Sequence, residues 1–277
     1  MIFELPKEKV LISFSGGRTS GYMLYKIIEA NNGLNSNVKV TFANTGREMP
    51  ETLDFVQQCS EKWNVHIDWL EFDYKAVNNN RNKYTFREVS HNSASRDGKP
   101  FIDIIKAKKT LPDALQRFCT VELKIRTITR FLKSLGWQSW INTIGIRADE
   151  SHRAKESKQK EFVNWFPLVD NKITKQDILD FWKKQSFDLK ITPGFGNCDG
   201  CFLKSERTIS VLWKMYPDRA KWWSDLEKLR HGYNKRKRQF HKARTYEQIG
   251  QFVEQQGDWI FDNEDALCQA NDGECTI

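Results

Sequence analysis

The stretch Ser15-Gly16-Gly17-Arg18-Thr19-Ser20 sets two glycines among three hydroxyls and one cation. Glycine admits positive φ and lets another group come close to the main chain, while hydroxyls and a guanidinium are donors that an oxyanion seeks. A helix beginning here would aim its free N–H groups at the same spot, with a dipole that favours negative charge. Those are the parts of a phosphate or oxyanion cradle. The same residues would equally serve a plain strand-to-helix turn capped by Ser or Thr. They lack the Lys-Ser/Thr of a P-loop NTPase and the third glycine of a dinucleotide fold.

Cysteine is the second chemical resource. Cys198-Asp199-Gly200-Cys201 is a CxxC turn that presents two thiolates to one metal ion or cluster, with Gly200 expected to relax the backbone between them. Cys119 lies upstream, with 78 residues between it and Cys198, at the head of an expected helix, and Cys275 is the third residue from the end of the sequence, in "NDGECTI". Zinc, an iron–sulfur cluster or a simple dithiol would each use such thiols in a reducing cell.

The elements that must position these groups read as follows. Residues 10–14 form a buried strand and 19–30 a helix with rough 3.6 spacing. Further strands are expected at 38–43, 65–72 and 139–146, with helical pattern between them, so strand alternates with helix. That alternation predicts an α/β fold, a parallel sheet with helices on both faces. In such sheets ligands sit beyond the carboxyl ends of the strands. The Ser-Gly-Gly corner, the loop "NTGREMP" and the loop "RADESHR" (147–153) all follow strand ends and converge on one crevice. Arg147 and Arg153 are the guanidiniums expected against phosphate, or else paired with Asp149 and Glu150. Glu48 and Glu51 read as helix-start carboxylates. Residues 74–110, rich in Asn, Ser, Lys and Gly, read as a long mobile excursion with at most short helices. Thr174 should cap a helix over 173–185, with Asp177 in its first turn. From Lys204 onward the pattern is helical, with Trp213, Trp222, Trp223, Leu226 and Leu229 on core faces. The expected division is a nucleotide-binding domain over 1–205, a helical basic extension over 206–265 and a Cys-containing tail over 266–277.

Composition sets the outer limits. A chain of 277 residues with 39% hydrophobic and 13% aromatic content can bury a full core. No stretch approaches the ~20 apolar residues of a membrane span, and the start "MIFELPKEKV" has no signal pattern, so a cytoplasmic location and no membrane partner are expected. The net charge of +8 is concentrated between Lys228 and Arg244, which hold eight Lys/Arg and no acid; the other 260 residues balance 36 basic against 36 acidic groups. That segment, with Tyr233 and Phe240 interleaved, would track a nucleic-acid backbone, or solvate a helical face.

Four segments together resemble the phosphoadenosine phosphosulfate reductase family of the PP-loop, or adenine nucleotide α-hydrolase, superfamily: "SFSGGRTS" (13–20), "FANTGREMPETLDFV" (42–56), "GIRADESHR" (145–153) and "FPLVDNKITKQDILDFW" (166–182). The resemblance implies a PP-loop at Ser15, Gly16, Gly17, Arg18, Thr19 and Ser20 that holds the anionic end of an adenine nucleotide. Thr19 stands where ATP-cleaving members carry Asp, which favours a sulfated nucleotide over Mg-ATP. It also implies a [4Fe–4S] cluster on Cys119, Cys198 and Cys201, although Phe118 occupies the place of one family cysteine, and zinc remains the alternative. Glu274 and Cys275 match two positions of the family's Glu-Cys-Gly-Ile/Leu-His nucleophile segment, with Thr276 replacing Gly and no His following. The implied activity is sulfonucleotide reduction by the Cys275 thiolate, with an external dithiol such as thioredoxin as partner. The alternatives are an ATP-dependent sulfur transferase acting on tRNA or DNA, and a silent nucleotide-binding module.

Overall fold

The computed structural model describes residues 3–77, 81–157, 159–229, 239–241 and 243–256. Within them β1 (Val10–Ser13), β2 (Val38–Asn44), β3 (Asp68–Val77), β4 (Arg81–Val89), β5 (Trp140–Ile144) and β6 (Phe162–Trp165) form one sheet in the order β4-β3-β2-β1-β5-β6. Every neighbouring pair is parallel except β3–β4. β1 is buried along its whole length, as its unbroken apolar run requires of a central parallel strand. The fold is therefore the α/β class read from the sequence.

Helices α1 (Arg18–Asn31), α2 (Pro50–Lys62) and α6 (Lys175–Trp182) cover one face through a cluster that joins Val10, Ile12 and Phe14 to Met23, Phe55 and Trp182. On the other face α4 (Thr127–Ser134) sets Ile128, Phe131 and Leu132 against Leu11, Leu70 and Trp140. Thr174 caps α6 as expected: its hydroxyl accepts from the Asp177 N–H, and the Thr174 N–H donates to the Asp177 carboxylate at 2.8 Å.

Residues 74–110 are not the loose excursion that their composition implies. They contain β4, the antiparallel edge strand paired with β3 over nine residue pairs, and α3 (Lys99–Lys108), whose Phe101, Ile104 and Ile105 are buried. Pro100 suits the first turn of α3 because that turn's N–H groups have no partner inside the helix. A second core cluster joins Phe72 and α3 to the C-terminal helices α7 (Glu206–Met215), α8 (Pro217–Leu229) and α9 (Tyr246–Gln256). Trp223 and Tyr246 lie fully inside it. Trp213 and Trp222 pack at its margin. No helix of the described residues is long and apolar enough to cross a membrane.

Between α3 and α4 the chain winds as a π-helix, Thr120–Arg126. Its buried Glu122 receives Lys108, Arg126 and Arg130. Burial alone would raise the Glu122 carboxyl, but the hydrogen bonds from Lys108 and Arg130 and the charges of Lys108 and Arg126 hold it below the usual range. A carboxylate depressed on folding contributes stability above its unfolded pKa, and that contribution is lost as pH falls through the folded value. Glu122→Gln should lower the urea midpoint at pH 7, and the gap to wild type should close below about pH 4. A gap independent of pH would show that the charge contributes nothing.

Candidate functional site

β1 lies between β2 and β5, so the chain leaves it in opposite directions and the crevice at its carboxyl end is the topological switch point. The Ser15–Ser20 corner stands there. Gly16 has φ +80°, and a Cβ on it would sit 2.8 Å from Thr52 of α2, so glycine is required for both conformation and space. Gly17 is the N-cap of α1; no side chain caps that end and its first turn carries no acid. The turn is held from within. The Ser20 hydroxyl donates to the Gly17 carbonyl at 3.0 Å and accepts from the Ser15 N–H at 3.2 Å, and the Ser15 and Ser20 hydroxyls are 2.9 Å apart.

From the β5 side, Gly145 closes on the corner. A Cβ there would stand 3.2 Å from Ser20 Cα and 3.4 Å from Ser20 N. Thr19 and Ser20 are buried beneath this contact. Arg18 turns away: its guanidinium forms a fork to Asp188 at 2.7 and 2.9 Å and donates to the Leu189 carbonyl at 2.6 Å. Its side chain therefore locks the loop after α6 to α1, while its backbone stays in the corner. Trp182 Nε1 donates to the Arg18 carbonyl, completing the clasp.

In the loop after β5, Arg147 is the N-cap and Arg153 the last residue of the short 3-10 helix Ala148–Arg153. Arg147 Nε donates to Asp149 at 3.0 Å, and Arg153 is bonded to Glu150. Glu150 also accepts from the Arg147 N–H at 3.3 Å. Two guanidiniums and two carboxylates thus balance beside the cradle. Asp149 is the more exposed of the two carboxylates.

The loop after β2 is built around two buried carboxylates. Glu71 accepts from Asn44 Nδ2 and the Ser95 N–H, both at 2.6 Å, and from Arg87 Nε at 2.9 Å. Glu48 accepts from the Thr45 N–H and hydroxyl and from the Arg47 N–H. It thus braces the entry to α2. Glu51 stands at the first turn of α2 as read from the sequence.

This loop carries the CxxC turn. Glu48 bridges Cys198, the Thr45 hydroxyl lies 3.2 Å from Cys198 Sγ, and the Asp199 N–H donates to the Arg47 carbonyl. Asp199 has no exposed surface; it accepts from Arg47 Nη2 at 2.8 Å, Trp223 Nε1 at 2.7 Å, and Arg219. Gly200 is glycine because Trp223 lies on it: a Cβ would stand 2.3 Å from Trp223 Nε1. Backbone freedom, the role expected for it, is not the reason.

Cys201 couples electrostatically to both Cys119 and Cys198. Burial, then the charge of Cys201, pushes the Cys119 thiol up to about 12; burial and Glu48 raise Cys198 well above its ordinary value. Lys124, buried with Nζ 3.4 Å from Asn197 Oδ1, opposes both shifts without reversing them. Thiolate sulfur is the right donor for iron–sulfur or zinc. Among the described residues, however, no three His, Cys, Asp or Glu side chains are arranged to hold a metal ion. The donor chemistry fits, and the ligand set does not close in this form. Cys59 is a core residue of α2. Cys268, Cys275 and most of the 228–244 run lie outside the described residues.

A family model, the phosphoadenosine phosphosulfate reductase domain, matches residues 9–190. The chain belongs to that family. The phosphoadenosine phosphosulfate reductase match spans the cradle, the NTGRE loop, the arginine loop and α6, and ends before the CxxC turn. The chain is also 34% identical over 206 residues to the uncharacterized nin region protein ORF290 of Escherichia phage lambda, covering 74% of this chain and 69% of that protein. Among solved structures, the phosphoadenylyl-sulfate reductase of Candida auris, in a phosphate complex, is 16% identical with a TM-score of 0.39 over 65% of this chain and 73% of that one. The U34-tRNA thiolase NcsA of Methanococcus maripaludis, with its [4Fe–4S] cluster, is 15% identical with a TM-score of 0.41 over 95% and 81%.

Proposed function

We propose that this member of the family binds a sulfated adenine nucleotide, adenylyl sulfate or its 3′-phosphorylated form, and passes the sulfo group to a cysteine thiolate. The observation that carries the reading is the uncapped, acid-free N-terminus of α1 at the switch point, overlaid by the Gly145 backbone. Helix N–H groups and dipole there favour an anion, and Arg147 and Arg153 stand one loop away.

In the proposed step the thiolate sulfur attacks the sulfate sulfur, and the S–O bond to the nucleotide breaks. The adenylate leaves with the bridging oxygen and its electron pair, and the enzyme keeps an S-sulfocysteine. An external dithiol then attacks that cysteine's sulfur, releases sulfite and ends as a disulfide. The nucleophile in this reading is Cys275, which with Glu274 matches two positions of the family's Glu-Cys nucleophile segment. Cys275→Ser should abolish sulfite release while calorimetric nucleotide binding persists. Absence of sulfite from wild type with either sulfated nucleotide, reductant and iron supplied, would overturn the reading.

The grouping of Cys119, Cys198 and Cys201 favours a second reading, an ATP-dependent sulfur transferase acting on tRNA or DNA. A [4Fe–4S] cluster, which would supply iron that can carry sulfur, would have to draw on these three thiols, which interact electrostatically but do not form a closed ligand set among the described residues. Under this reading iron and acid-labile sulfide accompany the anaerobically purified protein, fall in Cys119→Ser, and sulfite never appears. Zinc in place of iron would mark a structural centre.

A further inference from the structure

We infer that the surface formed by the carboxyl end of α3, the π-helix and α4 docks the phosphodiester backbone of a nucleic acid. Residues 75–134 hold fourteen Lys/Arg and five Asp/Glu, a net +9 in a chain whose total is +8. This block is therefore as basic as the whole protein. It is also one structural unit, since β4, α3, the π-helix and α4 pack on one another at the β4 edge of the sheet.

The charge is unbalanced where the three helices meet. Lys108, Arg126 and Arg130 converge on Glu122, three cations on one carboxylate. Arg130 Nη1 is buried and makes no hydrogen bond among the described residues. Lys106 and Lys109 add two exposed cations on the same turn. The α3 dipole accounts for some of this, because lysines in a last turn answer a partial charge of about −0.5. Three lysines there exceed it several-fold. Tyr84 lies beneath the cluster, with Lys108 Nζ 5.4 Å and the Arg130 guanidinium 5.8 Å from its ring.

Cations spread over three elements beside an aromatic ring suit a partner whose single charges repeat along a strand, and whose bases stack, better than one small anion. Lys228 and Arg244, at the ends of the other basic run, are paired one to one with Glu247 and Glu206, and the cations between them lie outside the described residues. Glu122 and Arg126 lie three and seven residues beyond Cys119, the N-cap of the same helical segment. The inference does not depend on the nucleotide proposed above, and its test uses none.

Fluorescence anisotropy of the full chain against labelled single-stranded RNA, single-stranded DNA and duplex DNA of about 20 nucleotides reads it directly. Lys106→Gln/Lys108→Gln/Lys109→Gln leaves Arg126 and Arg130 on Glu122 and should fold. It should weaken binding at least tenfold near 0.1 M salt and lower the slope of log affinity against log salt by roughly two, at about 0.7–0.9 per lost phosphate contact. Ultraviolet crosslinking should place the Tyr84 peptide on the oligonucleotide, and should do so even if the triple variant misfolds. Which oligonucleotide binds most tightly identifies RNA or DNA as the source of the backbone. Unchanged affinity and slope in the folded variant would overturn the inference, as would loss confined to a neutralised Lys235–Arg238 run, or tighter binding to anionic vesicles than to any oligonucleotide.

Discussion

Asp199→Asn should cost roughly 3–5 kcal/mol of stability, the loss expected when one partner of a buried ion pair is removed and the other keeps its charge. The substitution preserves shape and volume, removes the charge and turns one of the two accepting oxygens into an NH2 donor that faces the donors now bonded there. Arg47 is almost wholly inside, its guanidinium lies 4.3 Å from the Trp222 ring, and its Nε already lacks a hydrogen-bond partner. Burial lowers its pKa and the Asp199 charge opposes that shift. Without the carboxylate, a desolvated cation is left against an indole and a second cation, Arg219. Four donors meet Asp199: Arg47, Arg219, Trp223 and the Gly200 N–H. One side chain therefore ties the loop after β2, the CxxC turn and α8 together. In urea unfolding the midpoint should drop accordingly, with a fall in melting temperature on the order of 10 °C for a domain of this size. The double variant Arg47→Met/Asp199→Asn should recover part of the loss, because the buried Arg47 charge leaves with the carboxylate while the Asn oxygen still accepts from Trp223 Nε1. A cost under about 1 kcal/mol in the single variant would mean that water reaches the pair and that the CxxC turn is held by other contacts.

The contrast between Asp199 and α6 shows what the sequence made legible. α6 is a local object: Thr174 and Asp177 are three residues apart and its apolar side repeats within eight residues, so cap and face can be read without knowing the fold. The β1–α1 corner is legible for the same reason. Asp199 has no role of its own legible in the sequence, because its partner Arg47 lies 152 residues away. Arg18 looked like a ligand for an anion because Asp188 lies 170 residues away. Local pattern cannot show which distant charge a side chain will meet. Arg147 and Arg153 are the opposite case, since their partners Asp149 and Glu150 stand in the same stretch, residues 147–153. The 74–110 block hid its elements differently. β4 is an edge strand bearing polar residues, and the short apolar spacing of α3 at Phe101, Ile104 and Ile105 is diluted by polar flanks.

Gly17→Asp should separate binding from folding more sharply than any other single change. Gly17 has φ −99° and ψ 164°, extended backbone that any residue adopts, and it occupies the N-cap of α1. Asp is among the best N-cap residues, within a few tenths of a kcal/mol of Gly or better, and its charge is favourable at a helix N-terminus. The variant should melt at or above the wild-type temperature. Its carboxylate, however, would accept the first-turn N–H groups that the cradle offers to a ligand. A nucleotide phosphate or sulfate brought within about 4 Å of it meets a repulsion of order 4 kcal/mol at an effective dielectric near 20, or roughly a thousandfold in affinity. Calorimetry with adenylyl sulfate, its 3′-phosphorylated form and ATP should therefore show at least a hundredfold loss for whichever nucleotide the wild type binds. Gly17→Ala, which adds no charge, should lose far less. The comparison separates the added charge from the added side chain, since all three proteins should keep the same fold. Equal affinity in wild type and Gly17→Asp would place the nucleotide elsewhere on the molecule. If the wild type bound no adenine nucleotide at all, the corner at Ser15–Ser20 would be a strand-to-helix turn and nothing more.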